Sequence, residues 1–391
     1  MTTTPKIRVG LVVPHIFIHR DILSGVIFSP GTLAVDLCNE LQQQDVDVTL
    51  FAPGPVNVEV PVITADLSLF KSELTGRGDT YLELLKKHPF TFISLARQVQ
   101  AELIAKAYNL ANEGWFDIIH IYTNEEDIAL PFASLSKKPV VFTHHDPFNF
   151  LVKYKNTFPK YKHLPWISLS LSQRRTMPED TNWIGNVYHG LRPDSLLPIS
   201  RPTRDYIAYL GRIIEPKGVH YAIQAVKQYN KTARIPIKLK IAGKHYSGHQ
   251  KDTYWQTQIE PELDEAVEYI GHIDTIADKR AFLGNAKALL VPSTFDEPFG
   301  MVTIEALACD TPVIGLSAGA TPEIITNNKT GFVIKHNEVS SIPGAIANTI
   351  NQLDTIKEGV CREEFEERFT LERMAKEHIA LYSQEIVKTS L

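Results

Sequence analysis

Short runs of apolar, β-branched residues alternate with longer amphipathic stretches along this chain. The runs "IRVGLVV" (7–13), "VDVTLFA" (46–52), "DIIHIY" (117–122) and "PVVFTHH" (139–145) are too short and too uniformly apolar for half-exposed helices. They predict buried parallel strands, with helices over 31–43, 91–112 and 125–136 between them. A shorter strand-like pair, "WISLSL" (166–171) and "WIGNVYHGL" (183–191), is followed by "RPDSLLPISRPTRD", whose proline, serine and charge mark a linker. The alternation then restarts. Strands are predicted at 206–212, 237–244, 266–272, 287–293, 311–317 and 331–334, and helices at 217–230, 301–309 and 322–327. Two doubly wound, Rossmann-like halves follow, 1–200 and 201–372, and the charged amphipathic segment 373–391 is expected to fold back onto the first.

In open sheets of this kind ligands bind beyond the carboxyl ends of the strands. That rule selects the loops after Val13, Tyr122, His145, Leu210, Ala242, Ser293 and Ser317, and a cleft between the halves. Composition narrows the classes of partner. The chain has 391 residues, 43% apolar and 22% charged, with a formal net charge of -5, which argues against a general nucleic-acid binder. Cys38, Cys309 and Cys361 are odd in number and far apart, which suggests neither a disulfide framework nor a zinc site and fits a reducing, cytoplasmic compartment. The N-terminal apolar run ends in "HRD" without a small-residue cleavage site and reads as a first strand. No segment approaches the roughly 20 apolar residues that span a bilayer, so membrane contact would be peripheral.

The chemistry concentrates in the second half. The strand ending at Leu210 runs into "GRIIEPKG", placing Gly211 and Arg212 at a carboxyl end and Lys217 at the start of the next helix. A planar guanidinium beside a compact ammonium suits a diphosphate; two solvated surface cations are the plain alternative. The strand "KALLVPS" leads through "TFDEPFG" into "MVTIEALA", so the amides of Phe299, Gly300 and Met301 lie at a helix N-terminus, a natural anion site. Glu297 stands before that helix and Glu305 follows one turn in, each able to accept hydroxyl hydrogens. In "SAGATPEI", Gly319 and Ala320 turn the chain and Thr321 is expected to cap a helix with Pro322 in its first turn.

At this point "EPFGMVTIE" resembles the E-x7-E motif of the retaining glycosyltransferases of family four, which have the GT-B fold. The resemblance extends in order through "YLGRIIEPKGVHYAIQAV", "KIAGK", "VEYIGHI", "ALLVPSTFDEPFGMVTIEALACDTPVIGLSAGATPEII" and "TGFVI". It implies that Arg212 and Lys217 bind a donor diphosphate, Glu305 the nucleotide ribose and Glu297 a hydroxyl of the transferred sugar. The backbone at Phe299 and Gly300 would hold sugar or phosphate, with Gly211 and Met301 in the same donor site. The donor would be a nucleotide diphosphate sugar, a UDP-sugar as first choice, and transfer would need neither metal nor cofactor because fixed cations and helix termini stabilise the leaving group. Other occupants of the same fold are a nucleotide-sugar epimerase, a phosphorylase and a non-catalytic sugar sensor.

In the first half, Thr143 and His145 match the family pattern Thr-x-His, implying that His145 lies near the reacting sugar. Taken alone, a strand-end histidine more often bonds a neighbouring carbonyl. Gly31 in "SPGT" stands where family members often carry paired glycines near phosphate. Between Pro147 and Pro178 there is no acidic residue, while Lys153, Lys155, Lys160, Lys162, Arg174 and Arg175 are interleaved with aromatic residues including Tyr154. This segment is expected to form an acceptor-side surface for a sugar, a small anion or a lipid-linked molecule, or else a solvated loop whose aromatics pack inward. The stretch "YLELLKKHPF" (81–90) is expected to border the acceptor. Asp45-Val46-Asp47 spells a metal-binding D-x-D but enters its strand at the wrong end and reads as a turn. The scattered histidines lack ligand spacing.

Overall fold

The computed structural model describes residues 6–23, 26, 28–122, 124–245, 252–335 and 337–390. The chain forms two compact units. Unit 1 comprises Met1–Leu169, Arg174–Tyr188 and Leu371–Leu391, and unit 2 comprises Ser170–Gln173 and His189–Thr370. The proline-rich stretch 192–205 lies wholly within unit 2.

Unit 1 is built on seven strands: β1 (Arg8–Val12), β2 (Asp47–Ala52), β3 (Val62–Thr64), β4 (Ile118–Tyr122), β5 (Val140–Thr143), β6 (Trp166–Ser168) and β7 (Trp183–Asn186). They are ordered β3-β2-β1-β4-β5-β6-β7 and run parallel, with Val9 opposite both Val48 and Ile118. Every residue of β4 and β5 is buried, as expected of a sheet covered on both faces. Its helices are α1 (Arg20–Leu23), α2 (Ser29–Gln43), α3 (Ser68–Arg77), α4 (Tyr81–Lys87), α5 (Pro89–Asn112) and α6 (Val152–Thr157). In α5 the buried Phe92, Ala96, Val99, Leu103, Ala107 and Ala111 recur every three or four positions and form one apolar stripe. The helix expected over 125–136 is instead two 3-10 turns, Glu126–Ile128 and Leu130–Leu135. Glu125 enters at φ 76 and Pro131 opens the second turn, so continuous helical hydrogen bonding is interrupted twice.

Unit 2 contains β8 (Tyr206–Leu210), β9 (Lys238–Ala242), β10 (Val267–Gly271), β11 (Ala288–Val291), β12 (Val313–Leu316) and β13 (Gly331–Ile334), in the parallel order β10-β9-β8-β11-β12-β13. Its helices are α7 (Val219–Thr232), α8 (Ile276–Gly284), α9 (Met301–Ala308), α10 (Thr321–Ile324), α11 (Ile342–Ile350) and α12 (Val360–Arg368). The last helix, α13 (Leu371–Ser390), belongs to unit 1. Its Tyr382 hydroxyl lies 2.7 Å from His120 Nδ1 in β4, and His120 Nε2 lies 2.8 Å from the Thr143 hydroxyl in β5.

The three cysteines are buried free thiols. Asp45, at φ 63, forms the turn before β2. Among the described residues no helix is long and apolar enough to cross a membrane.

Glu364 of α12 ties that helix to the loop before β13. Its carboxylate accepts from the Thr326 hydroxyl and Lys329 Nζ at 2.7 Å and from Arg368 at 2.6 Å. Burial opposes the charge, but the bonds from Lys329, Arg368 and Thr326 outweigh it and hold the carboxyl down to about 2. A depressed carboxyl stabilises the fold above its unfolded value and loses that contribution as pH falls through the folded one. Glu364→Gln should therefore cost about 2 kcal/mol near neutrality in urea unfolding, and the gap from the parent should close between about pH 4.5 and pH 2.

Candidate functional site

In unit 2 the strand order reverses at the β8/β11 junction, and the loops leaving these strands part there, the usual setting for a ligand. The loop after β8 carries Gly211 and Arg212 and tightens into the 3-10 turn Glu215–Lys217, which Gly218 ends at φ 72. A Cβ at Gly218 would stand 2.1 Å from the Pro292 carbonyl oxygen, so only glycine lets this turn lie against the end of β11. The loops are bonded at that contact: the Thr294 amide donates to the Pro216 carbonyl at 3.0 Å and the Ser293 hydroxyl to the same oxygen at 3.3 Å. Lys217 Nζ thereby comes to 2.7 Å from Glu297 Oε2, the side chains being 18% and 16% exposed.

The loop after β12 closes on Glu297 from another side. Gly319 turns at φ 51, and a Cβ there would lie 2.4 Å from both the nitrogen and the carbonyl oxygen of Glu297. Its amide donates to Asp296 Oδ1 at 2.7 Å, and the Ala320 amide donates to the Glu297 carbonyl at 3.0 Å. Thr321 does not cap the following helix, as its position had suggested. It is the first residue of the one-turn α10, entered from Ala320 without a side-chain cap, and its methyl packs where a Cβ on Gly315 would be.

Gly300, at φ 105, precedes Met301 at the start of α9, and no side chain caps this end. Its first amides keep the orphan donors of a helix start. Phe299 is buried with its ring 5.0 Å from that of His189, so its side chain serves packing and only its backbone is left for a ligand. Glu305, one turn into α9, is buried and takes a 2.7 Å bond from Lys279 Nζ in α8. Lys279 was missed in the sequence, although the Thr275 hydroxyl that receives the Asp278 amide at 3.0 Å marks the start of its helix. Arg212 is exposed, and no described side chain pairs with its guanidinium. The loops and helix starts of unit 2 thus carry Arg212, Lys217, Lys279 and the α9 start as donors and Glu297 and Glu305 as acceptors, whereas the Gly211 amide is already spent on the Ala242 carbonyl at 3.1 Å. Such a set can hold an anion flanked by hydroxyl groups.

The other expected residues lie in unit 1. His145, at the end of β5, is half-buried with its ring edge-on to Tyr122 at 4.5 Å. Its neighbour His144 points the other way: its Nδ1 lies 2.9 Å from Glu126 Oε2 in the core. Burial lowers the His144 pKa to about 4 and raises that of Glu126. Gly31 is already engaged, because its amide donates to the Phe28 carbonyl at 3.1 Å and its Cα faces the Phe28 ring, 2.6 Å from where a Cβ would stand. Most of the aromatic side chains of the expected acceptor surface face inward, although Phe150 is exposed. Tyr154, Phe148, Phe158 and Trp166 are core residues, and Tyr154 stacks on Phe158 at 5.0 Å. Lys153 bonds Glu125 at 3.1 Å and Asp127 at 3.3 Å, while Lys155 stays exposed. Among the described residues no cluster of three or more His, Cys, Asp or Glu could hold a metal ion.

Comparison with known proteins agrees with this architecture. The family model described as "Glycosyl transferases group 1" matches residues 198–358, and "Glycosyltransferase Family 4" matches residues 31–209. A phosphatidyl-myo-inositol mannosyltransferase of Propionibacterium freudenreichii is 22% identical over 82% of this chain and 80% of its own. A glycogen synthase of Mycobacterium tuberculosis is 31% identical over 37% of this chain, a match spanning only 34% of that protein. Among solved structures, sucrose-phosphate synthase from Thermosynechococcus elongatus superposes with a TM-score of 0.71 at 15% identity, over 98% of this chain and 100% of that one. The Anabaena protein HepE, in complex with UDP and glucose, superposes with a TM-score of 0.68 at 15% identity, over 97% and 100%. These matches place the chain in the family four, group 1 glycosyltransferases, with their GT-B fold of two Rossmann-like parallel-sheet domains.

Proposed function

We propose that the protein is a retaining, metal-independent hexosyltransferase that moves a sugar from a nucleotide diphosphate donor to an acceptor. What supports this reading is the joining of three loops of unit 2 at Glu297, with Lys217 bonded to its carboxylate, the exposed Arg212 in the same loop as Lys217, and the uncapped start of α9 at Gly300, three residues after Glu297. As the bond to the sugar breaks, negative charge builds on the departing diphosphate. Arg212, Lys217 and the amides of Gly300 and Met301 receive it, which serves in place of a metal ion. Glu297 accepts from a hydroxyl of the transferred sugar and Glu305 from the ribose, with Lys279 fixing the Glu305 carboxylate. Retention of configuration, and the place of His145 beside the reacting sugar, come from the family pattern. A UDP-sugar is the donor of first choice, in keeping with the UDP and glucose named for the Anabaena neighbour. Three buried thiols suit a reducing, cytoplasmic setting.

The reading is tested by incubating the protein with a panel of nucleotide sugars, with and without acceptor sugars, and following nucleoside diphosphate release and the anomeric configuration of the product. Acceptor-dependent release with configuration retained is expected; an inverted product, or nucleotide binding without turnover, would contradict it. Arg212→Ala combined with Lys217→Ala should lower turnover at least about a hundredfold, since each charge-assisted contact is worth about 1.5–3 kcal/mol. Gly319→Ala should destabilise the fold by at least about 1–2 kcal/mol in urea, because an L-residue is strained at this φ and its Cβ meets the Glu297 backbone. The donor KM should rise with it, and a variant unchanged in both would show that the grip on Glu297 is dispensable.

A further inference from the structure

Unit 1 contains a pocket of about 510 Å³ beyond the carboxyl ends of β1, β2 and β3. It lies at the end of the sheet where open parallel sheets take their ligands, and its volume is that of an ordinary small-molecule site. His19 and Arg20 reach it from the segment after β1, Gly54 from the segment after β2, Lys71 and Thr75 from α3, and Tyr81 from the start of α4.

The hydrogen-bonding capacity of this pocket is unbalanced. Of its two acids, Asp66 has both oxygens committed, Oδ1 to the Ser68 amide at 2.8 Å and Oδ2 to the Ser68 hydroxyl at 2.9 Å. The other, Asp21, lies 3.6 Å from Arg20 and 3.8 Å from His19 Nδ1. The donors are largely unspent. Neither the Lys71 ammonium nor the hydroxyls of Thr75 and Tyr81 bond any described group, and Tyr81 is 8% exposed. His19, 3% exposed, receives the Asp21 amide on Nδ1 at 3.2 Å. Its proton therefore sits on Nε2, the edge that lies against Gly54, where a Cβ would come within 2.7 Å. Nε2–H likewise has no acceptor among the described groups. A histidine donor, a tyrosine hydroxyl and two cations line this pocket, and Asp21, paired with Arg20 and His19 only at 3.6 and 3.8 Å, is the one acid left to answer them, a donor excess that suits a ligand bringing acceptor oxygens.

We infer that this pocket binds a phosphorylated polyol or sugar. Its phosphate lies against Lys71 and Arg20, whose charge-assisted donors match the three acceptor oxygens of a phosphomonoester. Its hydroxyls meet His19 Nε2–H, Tyr81 and Thr75, with Asp21 as the one acceptor. The ligand is the acceptor of the transfer reaction; that role rests on the function proposed above, whereas binding itself does not. The assignment replaces the expected acceptor surface around Lys153 and Tyr154, whose groups are paired or buried. It also uses the first residue of the 81–90 stretch.

The test titrates the full chain calorimetrically with glucose 6-phosphate, glucose 1-phosphate, myo-inositol 1-phosphate and glycerol 3-phosphate, and with glucose, myo-inositol and inorganic phosphate as single-feature controls. At least one phosphorylated polyol should bind at least about tenfold more tightly than its unphosphorylated parent and than inorganic phosphate. Lys71→Ala should weaken it at least about tenfold, and Lys155→Ala should leave it unchanged. Lys71 is exposed and pairs with no described group, so its variant should match the parent in thermal unfolding. Absence of any preference for the phosphorylated compounds, or equal affinity in Lys71→Ala, would overturn the inference. Donor turnover read in parallel separates the two readings: sugar-phosphate binding without nucleotide release removes only the transferase, and release without sugar-phosphate binding removes only this pocket.

Discussion

Glu297 is held at three points, and the shape of the unit 2 ligand surface follows from that grip. Its carboxylate meets Lys217 at 2.7 Å, its carbonyl receives the Ala320 amide, and its backbone lies against Gly319 so closely that no side chain fits. These contacts join the loops after β8, β11 and β12. The cation that would meet a diphosphate is thus oriented before any ligand arrives, at a depth where solvent screens it less than at the surface. A preset charge needs little reorganisation when negative charge develops beside it, which is the physical basis of this mode of catalysis. Lys279 repeats the arrangement one turn along α9, so both glutamates are fixed by lysines drawn from separate loops or helices.

Unit 1 uses a different device, uncharged and buried. Tyr382 of α13 holds His120, and His120 holds Thr143, two residues before His145. Burial drives the His120 pKa well below its ordinary value, so this chain of three groups conveys position rather than charge. The last helix therefore braces the end of the strand that presents His145. The next residue inward, His144, is spent on Glu126. Adjacent histidines with alternating strand directions receive opposite tasks from a single change of facing.

The strands were the most legible part of the sequence, because a parallel sheet buried on both faces requires unbroken β-branched runs such as "DIIHIY". The amphipathic α2 and α5 were equally plain. Less visible were β3, only three residues long, and α3, where Gly76 and mixed polarity blur the helical period. The segment 125–136 looked helical by apolar spacing, but the positive φ of Glu125 and the proline at 131 turn it into 3-10 pieces. In the site, the local partners could be read from "EPFGMVTIE" because a strand–loop–helix passage fixes what its loop can reach. The pairing of Lys279 with Glu305 joins residues in different helices, and nothing in the local pattern announces it. For the basic-aromatic segment the sequence left two readings open, an acceptor surface or aromatics packed inward, and it could not choose between them. Composition does not say which way a side chain faces, and the core took Tyr154, Phe148 and Phe158.

The central claim is that immobile positive groups in unit 2 are arranged for a diphosphate, and calorimetric titration of UDP against uridine addresses it most directly. UDP should bind at least about a hundredfold more tightly than uridine. That advantage should shrink both in high salt and in Lys217→Met, while uridine affinity stays level. Equal affinity for UDP and uridine in the parent protein, or an advantage untouched by Lys217→Met, would contradict the account.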